Sequence, residues 1–85
     1  IMLVDAAGRL AGLFTDSDLA RLFERRQDEL LDGPVAAVMT RNPVVIGPDA
    51  RLGEAVEVLK GRKISELPVV DADGAVVGIV TREDL

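Results

Sequence analysis

The chain has 85 residues, with 48% hydrophobic and 2% aromatic residues, and 10 Lys and Arg against 15 Asp and Glu for a net charge of −5. That length limits it to one small globular domain. The acidic balance argues against broad nucleic-acid binding and against attraction to an anionic membrane. It contains no Cys, His, Trp or Tyr, which excludes disulfides, zinc ribbons, thiol nucleophiles, the commonest general base and base-stacking platforms. No apolar run is long enough to span a bilayer, and no signal-peptide pattern opens the chain. Composition therefore favours a soluble, cytoplasmic binding or interaction module over a self-contained enzyme. A core of Leu, Val, Ile and Ala at this size, without a staple, predicts dependence on another chain, another domain or a ligand.

In chain order, Leu3–Asp5 and Leu10–Phe14 are aliphatic runs flanking Asp5-Ala6-Ala7-Gly8, a turn signal that predicts a short hairpin with Gly at the φ > 0 position. Thr15-Asp16-Ser17-Asp18 then predicts a helix start, Thr15 as N-cap and Asp18 reaching back. This helix runs to about Arg26, with Leu19, Leu22 and Phe23 as its apolar stripe. A polar stretch leads to Gly33-Pro34, a short turn or helix covers Val35–Met39, and Asn42-Pro43 breaks the chain again. Val44–Ile46 reads as a short β-branched strand. Gly47-Pro48-Asp49 is expected to cap a second helix over Ala50–Lys60, with Leu52, Ala55, Val56 and Leu59 at i, i+3, i+4, i+7 and Gly61 as its stop. Leu67–Asp71 and Val76–Val80 flank Asp71-Ala72-Asp73-Gly74, a second hairpin, in which Pro68 suits an edge strand or a first position. Thr81 and Asp84 open another helix.

The segments Val4–Leu19 and Val70–Leu85 align without a gap at an offset of 66 residues, and eight of sixteen positions are identical. Thr-x-x-Asp falls at the same place in both copies, which points to duplication. The first copy enters just before its hairpin, and the second stops as its last helix begins, so the phase predicts a segment of something longer. Residues 1–32 read as the end of a first repeat, 33–41 as a linker and 42–85 as a second repeat lacking most of its last helix. The fold class is α+β, with β-α-β-β-α units.

Two readings of Thr15/Asp18 and Thr81/Asp84 use the same atoms. One is a capping pair that satisfies orphan N–H groups. The other is a helix N-terminus open to a phosphate, with a carboxylate able to accept hydroxyl hydrogens. Asp16 adds a negative charge beside Thr15, whereas Arg82 stands at the matching place beside Thr81, so the second copy is the better anion site. Asp16, Asp18, Asp28, Glu29 and Asp32 lack the spacing of a calcium loop, and no metal site is expected. No nucleophile–base pair or P-loop is present, and no catalytic residue is assigned.

The order β-α-β-β-α, duplicated, with an aliphatic-Gly-aliphatic-x-Thr-x-x-Asp-Leu signature, resembles the cystathionine-β-synthase (CBS) domain pair. The stretches that carry the likeness are Val38-Met39-Thr40 leading to Asn42-Pro43, Lys63–Asp71, Gly78–Leu85 and Gly12–Leu19. Phe14-Thr15-Asp16-Ser17-Asp18-Leu19 looks most like the C-terminal module of bacterial arabinose-5-phosphate isomerases, where Gly commonly stands in place of Ser17. The resemblance implies a tandem pair truncated at both ends, and a regulatory module that binds an adenine or cytidine nucleotide or a nucleotide-sugar without a required cofactor. It implies ligand contacts from Thr81, Asp84, Arg82, Ser65, Pro43, Val44, Thr15 and Asp18. It also implies a homodimer and an attached sugar-phosphate isomerase domain that serves the acid sugar of lipopolysaccharide. The alternative is a structural oligomerisation module without a physiological ligand.

Overall fold

The computed structural model describes the backbone of residues 1–84 and the side chains of residues 1–83. The chain carries two small sheets with helices, as the α+β expectation requires. The first sheet has the order β1-β2-β3, from β1 (Met2–Val4), β2 (Leu10–Leu13) and β3 (Thr40–Arg41). The second pairs β4 (Glu66–Val70) with β5 (Val76–Thr81). The helices are α1 (Asp16–Glu24) and α2 (Leu52–Arg62), and 3-10 turns cover Asp28–Asp32, Val35–Ala37 and Arg82–Asp84. The chain divides into two compact units, one of residues 1–3 and 11–43 and the other of residues 4–10 and 44–85.

The two hairpin turns are built alike. In the first, Asp5 Oδ1 accepts from the Ala7 and Arg9 N–H groups at 2.8 and 3.0 Å. In the second, Asp71 Oδ1 accepts from Asp73 and Ala75 at 2.9 and 3.0 Å. Each carboxylate thus holds its turn closed from inside, the Asx chemistry that makes Asp a turn residue. Gly8 and Gly74 take φ of +82° and +84°, a region that side chains with a Cβ rarely enter.

In the first unit, Leu13 and Leu22 are buried. Gly12 pairs with Arg41 across β2–β3, and Met39 packs so closely over it that an added Cβ would lie 2.9 Å from Met39 Cγ. Of the expected stripe on α1, Leu22 is buried and Leu19 half-buried, but Phe23 is exposed.

In the second unit, the core is Ala55, Leu59 and Leu67, with Val44, Ile46, Val58, Ile64 and Val80 packed around it. Leu59 is 1% exposed. Several expectations change here. Gly47–Ala50 closes a turn of its own, Ala50 N–H donating to Gly47 C=O at 3.2 Å. That turn absorbs the Pro48-Asp49 signal, and α2 starts two residues later with Arg51 as N-cap and no side-chain cap. Leu52 then lies before the packed turns and is 64% exposed, outside the core it was expected to join. Gly61 does not stop the helix. Lys63 does, in the left-handed conformation (φ 54°, ψ 43°). Ile64 N–H then donates to Leu59 C=O at 3.1 Å, and Ile64 seats against the core, the apolar contact that accompanies such a cap.

The expected strand Val44–Ile46 is reduced to one parallel bridge between Ile46 and Val69, made by Ile46 N–H to Pro68 C=O (3.1 Å) and Val70 N–H to Ile46 C=O (3.0 Å). Pro68 is therefore central in β4 and fully buried, not terminal. Its carbonyl turns toward Ile46 and away from β5, and the N and C=O of one strand residue point the same way, so its missing N–H breaks no β4–β5 bond. The β4–β5 register skips Val77, since Val69 faces Gly78 and Val70 faces Val76, a bulge that leaves Val77 exposed.

Candidate functional site

The first Thr-x-x-Asp copy forms a complete capping box. Thr15 N–H donates to Asp18 Oδ2 at 2.8 Å, and Asp18 N–H donates to Thr15 Oγ1 at 3.3 Å. The Thr15 hydroxyl also donates to Asp18 Oδ2, at 3.2 Å. The other carboxylate oxygen, Oδ1, accepts the Thr40 hydroxyl at 3.3 Å and the Arg21 guanidinium. Asp18 is 7% exposed. An ionised carboxylate offers about four acceptor positions, and here they meet four donors. Thr40 stands in the stretch that sequence reading assigned to a linker. Its reach to Asp18 ties β3 to the start of α1.

Beside this network lies a cleft of about 200 Å³, lined by Asp18, Arg21, Leu22, Arg25, Gln27 and Leu30, among others. Arg21 and Arg25 were not singled out in the sequence. Their signal was the i, i+4 spacing on the helix that Thr15 caps, three and seven residues beyond Asp18.

In the second unit, strand register brings several of the expected residues to one end of the β4–β5 ribbon. Glu66 faces Thr81, and Arg82 N–H donates to Ser65 C=O at 3.0 Å. Ser65 and Arg82 are exposed there, and Thr81 is half-buried. Thr81 ends β5 and passes directly into the 3-10 turn Arg82–Asp84. The side chain of Asp84 and the whole of Leu85 lie outside the described residues. Val44 packs against the Ala55–Leu59–Leu67 core, so its side chain supports the unit from within. Pro43 belongs to the first unit and is half-buried. Among the described residues no cluster of three acidic, His or Cys side chains could hold a metal ion. Among the described residues no helix is long and apolar enough to cross a membrane.

Residues 35–85 match the CBS domain model. Among curated proteins, the chain is 38% identical over 80 residues to arabinose 5-phosphate isomerase KpsF of Escherichia coli, covering 94% of this chain and 24% of that protein. It is 36% identical over 83 residues to a homoserine O-acetyltransferase of Methanohalobium evestigatum, covering 98% of this chain and 16% of that protein. The chain therefore spans a quarter or less of the length of these relatives. Among solved structures, the CBS domain pair of MJ0100, in complex with 5-methylthioadenosine and S-adenosyl-L-methionine, superposes with a TM-score of 0.84 at 32% identity, covering 99% of this chain and 64% of that one. CBSX2 in complex with AMP superposes with a TM-score of 0.82 at 33% identity, covering 99% and 65%. The doubled Thr-x-x-Asp hairpins, the small two-sheet architecture and these matches agree, and the chain belongs to the CBS domain family.

Proposed function

We propose that this chain is a regulatory ligand-sensing module, which binds a nucleotide or nucleotide-sugar at the second repeat and modulates an attached enzyme. The observation that carries the reading is the shared end of β4 and β5, where Ser65, Thr81 and Arg82 meet through the Arg82-to-Ser65 backbone bond. Arg82 supplies the cation that a phosphate needs, and Asp84 is proposed to hold sugar hydroxyls. Val44 is proposed to border the ligand through its backbone. The adenosine-containing ligands of the two solved relatives support a nucleotide at such a module. Thr15 and Asp18 are assigned a lesser part, because the Asp18 carboxylate already meets four donors.

The attached enzyme is proposed to be an arabinose-5-phosphate isomerase, on the strength of several relatives at 36–38% identity that bear that name. Placement in lipopolysaccharide synthesis, in the cytoplasm and in a homodimer belongs to the same proposal. A second reading, an oligomerisation module without a ligand, is favoured by the exposure of Phe23 and Leu52 on the two helices.

The test is a thermal-shift series with AMP, S-adenosylmethionine and cytidylylated sugars. A ligand specific to the folded state at a hundredfold excess over its Kd adds about 2.7 kcal/mol of stability. A shift with one compound, abolished by Arg82→Gln and Asp84→Ala, supports sensing. A flat response, together with dissociation of the longer protein when the module is deleted, supports the oligomerisation reading.

A further inference from the structure

We infer that the first unit carries a separate binding site for a compact phosphate group, in the cleft between α1 and the 3-10 turn that follows it. Arg25 N–H donates to Arg21 C=O at 3.0 Å, so the last turn of the helix stacks Arg25 over Arg21. Two cations at i, i+4 repel one another, and both line the same 200 Å³ cleft in a chain whose net charge is −5. Arg26 then takes φ of +54° and turns the chain back. Gln27 N–H reaches Leu22 C=O at 2.9 Å, which sets the Gln27 side chain on the rim of the cleft.

The ordinary role of cations at a helix C-terminus is to serve its free carbonyls. Here the carbonyls of Arg21, Leu22 and Phe23 are already taken by the backbone N–H groups of Arg25, Gln27 and Arg26. Among the described residues neither guanidinium bonds a helix carbonyl. Arg21 is held in place by Asp18, a contact that uses one edge of its five-donor fork. Among the described residues, Arg25 has no ion pair and its side chain makes no described hydrogen bond. The site thus presents one oriented guanidinium, one unengaged guanidinium and a carboxamide, with the Asp18 carboxylate on the same lining offset by its pair with Arg21, against a wall of Leu22, Leu30 and Val38. Paired guanidiniums match the tetrahedral oxygens of phosphate through charge-assisted, bidentate bonds. Free phosphate and a phosphomonoester share this chemistry.

The experiment titrates the ¹⁵N-labelled chain with inorganic phosphate and, in parallel, with glycerol 3-phosphate. The signals read are the Gln27 side-chain amide and the Arg25 Nε–H, with sodium chloride at matched ionic strength as the reference. Saturable shifts at both groups are expected in the unaltered chain, and in Arg25→Gln the affinity read at the Gln27 amide should weaken about tenfold, the loss of one charge-assisted contact. They should be unchanged in Arg82→Gln, which belongs to the other proposed site. A stronger response to glycerol 3-phosphate identifies a phosphomonoester as the ligand, and an equal one identifies phosphate itself. Equal shifts with chloride, no effect of Arg25→Gln, or loss in Arg82→Gln would each overturn the inference. Arg25 is exposed, and the same spectra report whether each variant is folded.

Discussion

Arg9 and Ala75 stand 66 residues apart, at equivalent places in the two repeats, and they are each other's partners in an antiparallel bridge. The bonds that make it are reciprocal. Leu10 N–H donates to Gly74 C=O at 3.0 Å, and Val76 N–H donates to Gly8 C=O at 3.3 Å. Under the 66-residue offset each bond maps onto the other, so the two copied turns meet in a locally two-fold arrangement. A duplicated segment can satisfy its own edge in this way, because a surface that pairs with itself must offer each donor opposite its own acceptor.

The copied turns predict matched costs. Alanine at Gly8 or Gly74 forces a Cβ into a left-handed backbone, at about 1–2 kcal/mol each. The surroundings add little, since nothing lies within 4 Å of a Cβ at Gly8 and only the Arg9 stem, at 3.7–3.9 Å, near one at Gly74. Urea unfolding of the two variants should give similar losses, and a clearly larger loss at one of them would mean that turn bears more than its own strain.

Gly12 behaves differently. Its backbone is ordinary, but Met39 fills the space above it. Gly12→Ala is expected to destabilise by about 1–3 kcal/mol through overpacking. Adding Met39→Ala should recover part of that loss, so a double-mutant cycle should show favourable coupling. Simple additivity would mean that the thioether moves aside freely.

Alanine at Gly53, by contrast, should stabilise. Gly53 is exposed inside α2, with nothing within 4 Å of a Cβ and no left-handed φ. The gain is about 0.5–1 kcal/mol from helix propensity and a less flexible unfolded chain, readable as a rise of a few degrees in Tm.

The Asp18 network predicts a ranked series in chemical denaturation. Thr15→Ala removes the cap side chain and should cost about 1 kcal/mol. Thr40→Val removes one neutral donor to a buried carboxylate and should cost a similar amount. Asp18→Ala strips four donors of their acceptor and should cost the most of the three. If Thr40→Val proves silent, the tie between β3 and α1 carries no weight in solution.

Leu59→Ala tests the second core. Leu59 is 1% exposed, between Ala55 and Leu67, and cavity creation there should cost about 2–5 kcal/mol. That is a large part of the stability of a domain this small. The variant should lose its cooperative thermal transition, whereas Leu52→Ala, on an exposed side chain, should barely move it.

The sequence by itself determined the features whose chemistry closes within a few residues. Asp5 and Asp71 reach only two and four positions ahead, Gly8 and Gly74 supply their own backbone freedom, and Thr15 and Asp18 cap each other across three residues. None of these needs a distant partner, so repeat, turns, first helix start and family were all legible. The tertiary structure decided whatever depended on what lies opposite. The start of α2 moved because Ala55 and Leu59, not Asp49, locate that helix, and Lys63 ends it because Ile64 has a core to enter. Val44–Ile46 kept a single bridge, and Pro68 became central, because only the opposing strands say which edge of β4 needs an N–H. The Asp18 carboxylate meets its fourth donor only when Thr40, 22 residues away, is brought beside it. A carboxylate that reads from sequence as an acceptor for a ligand is thereby engaged within the fold, because hydrogen-bond capacity is consumed by neighbours in space rather than by neighbours along the chain.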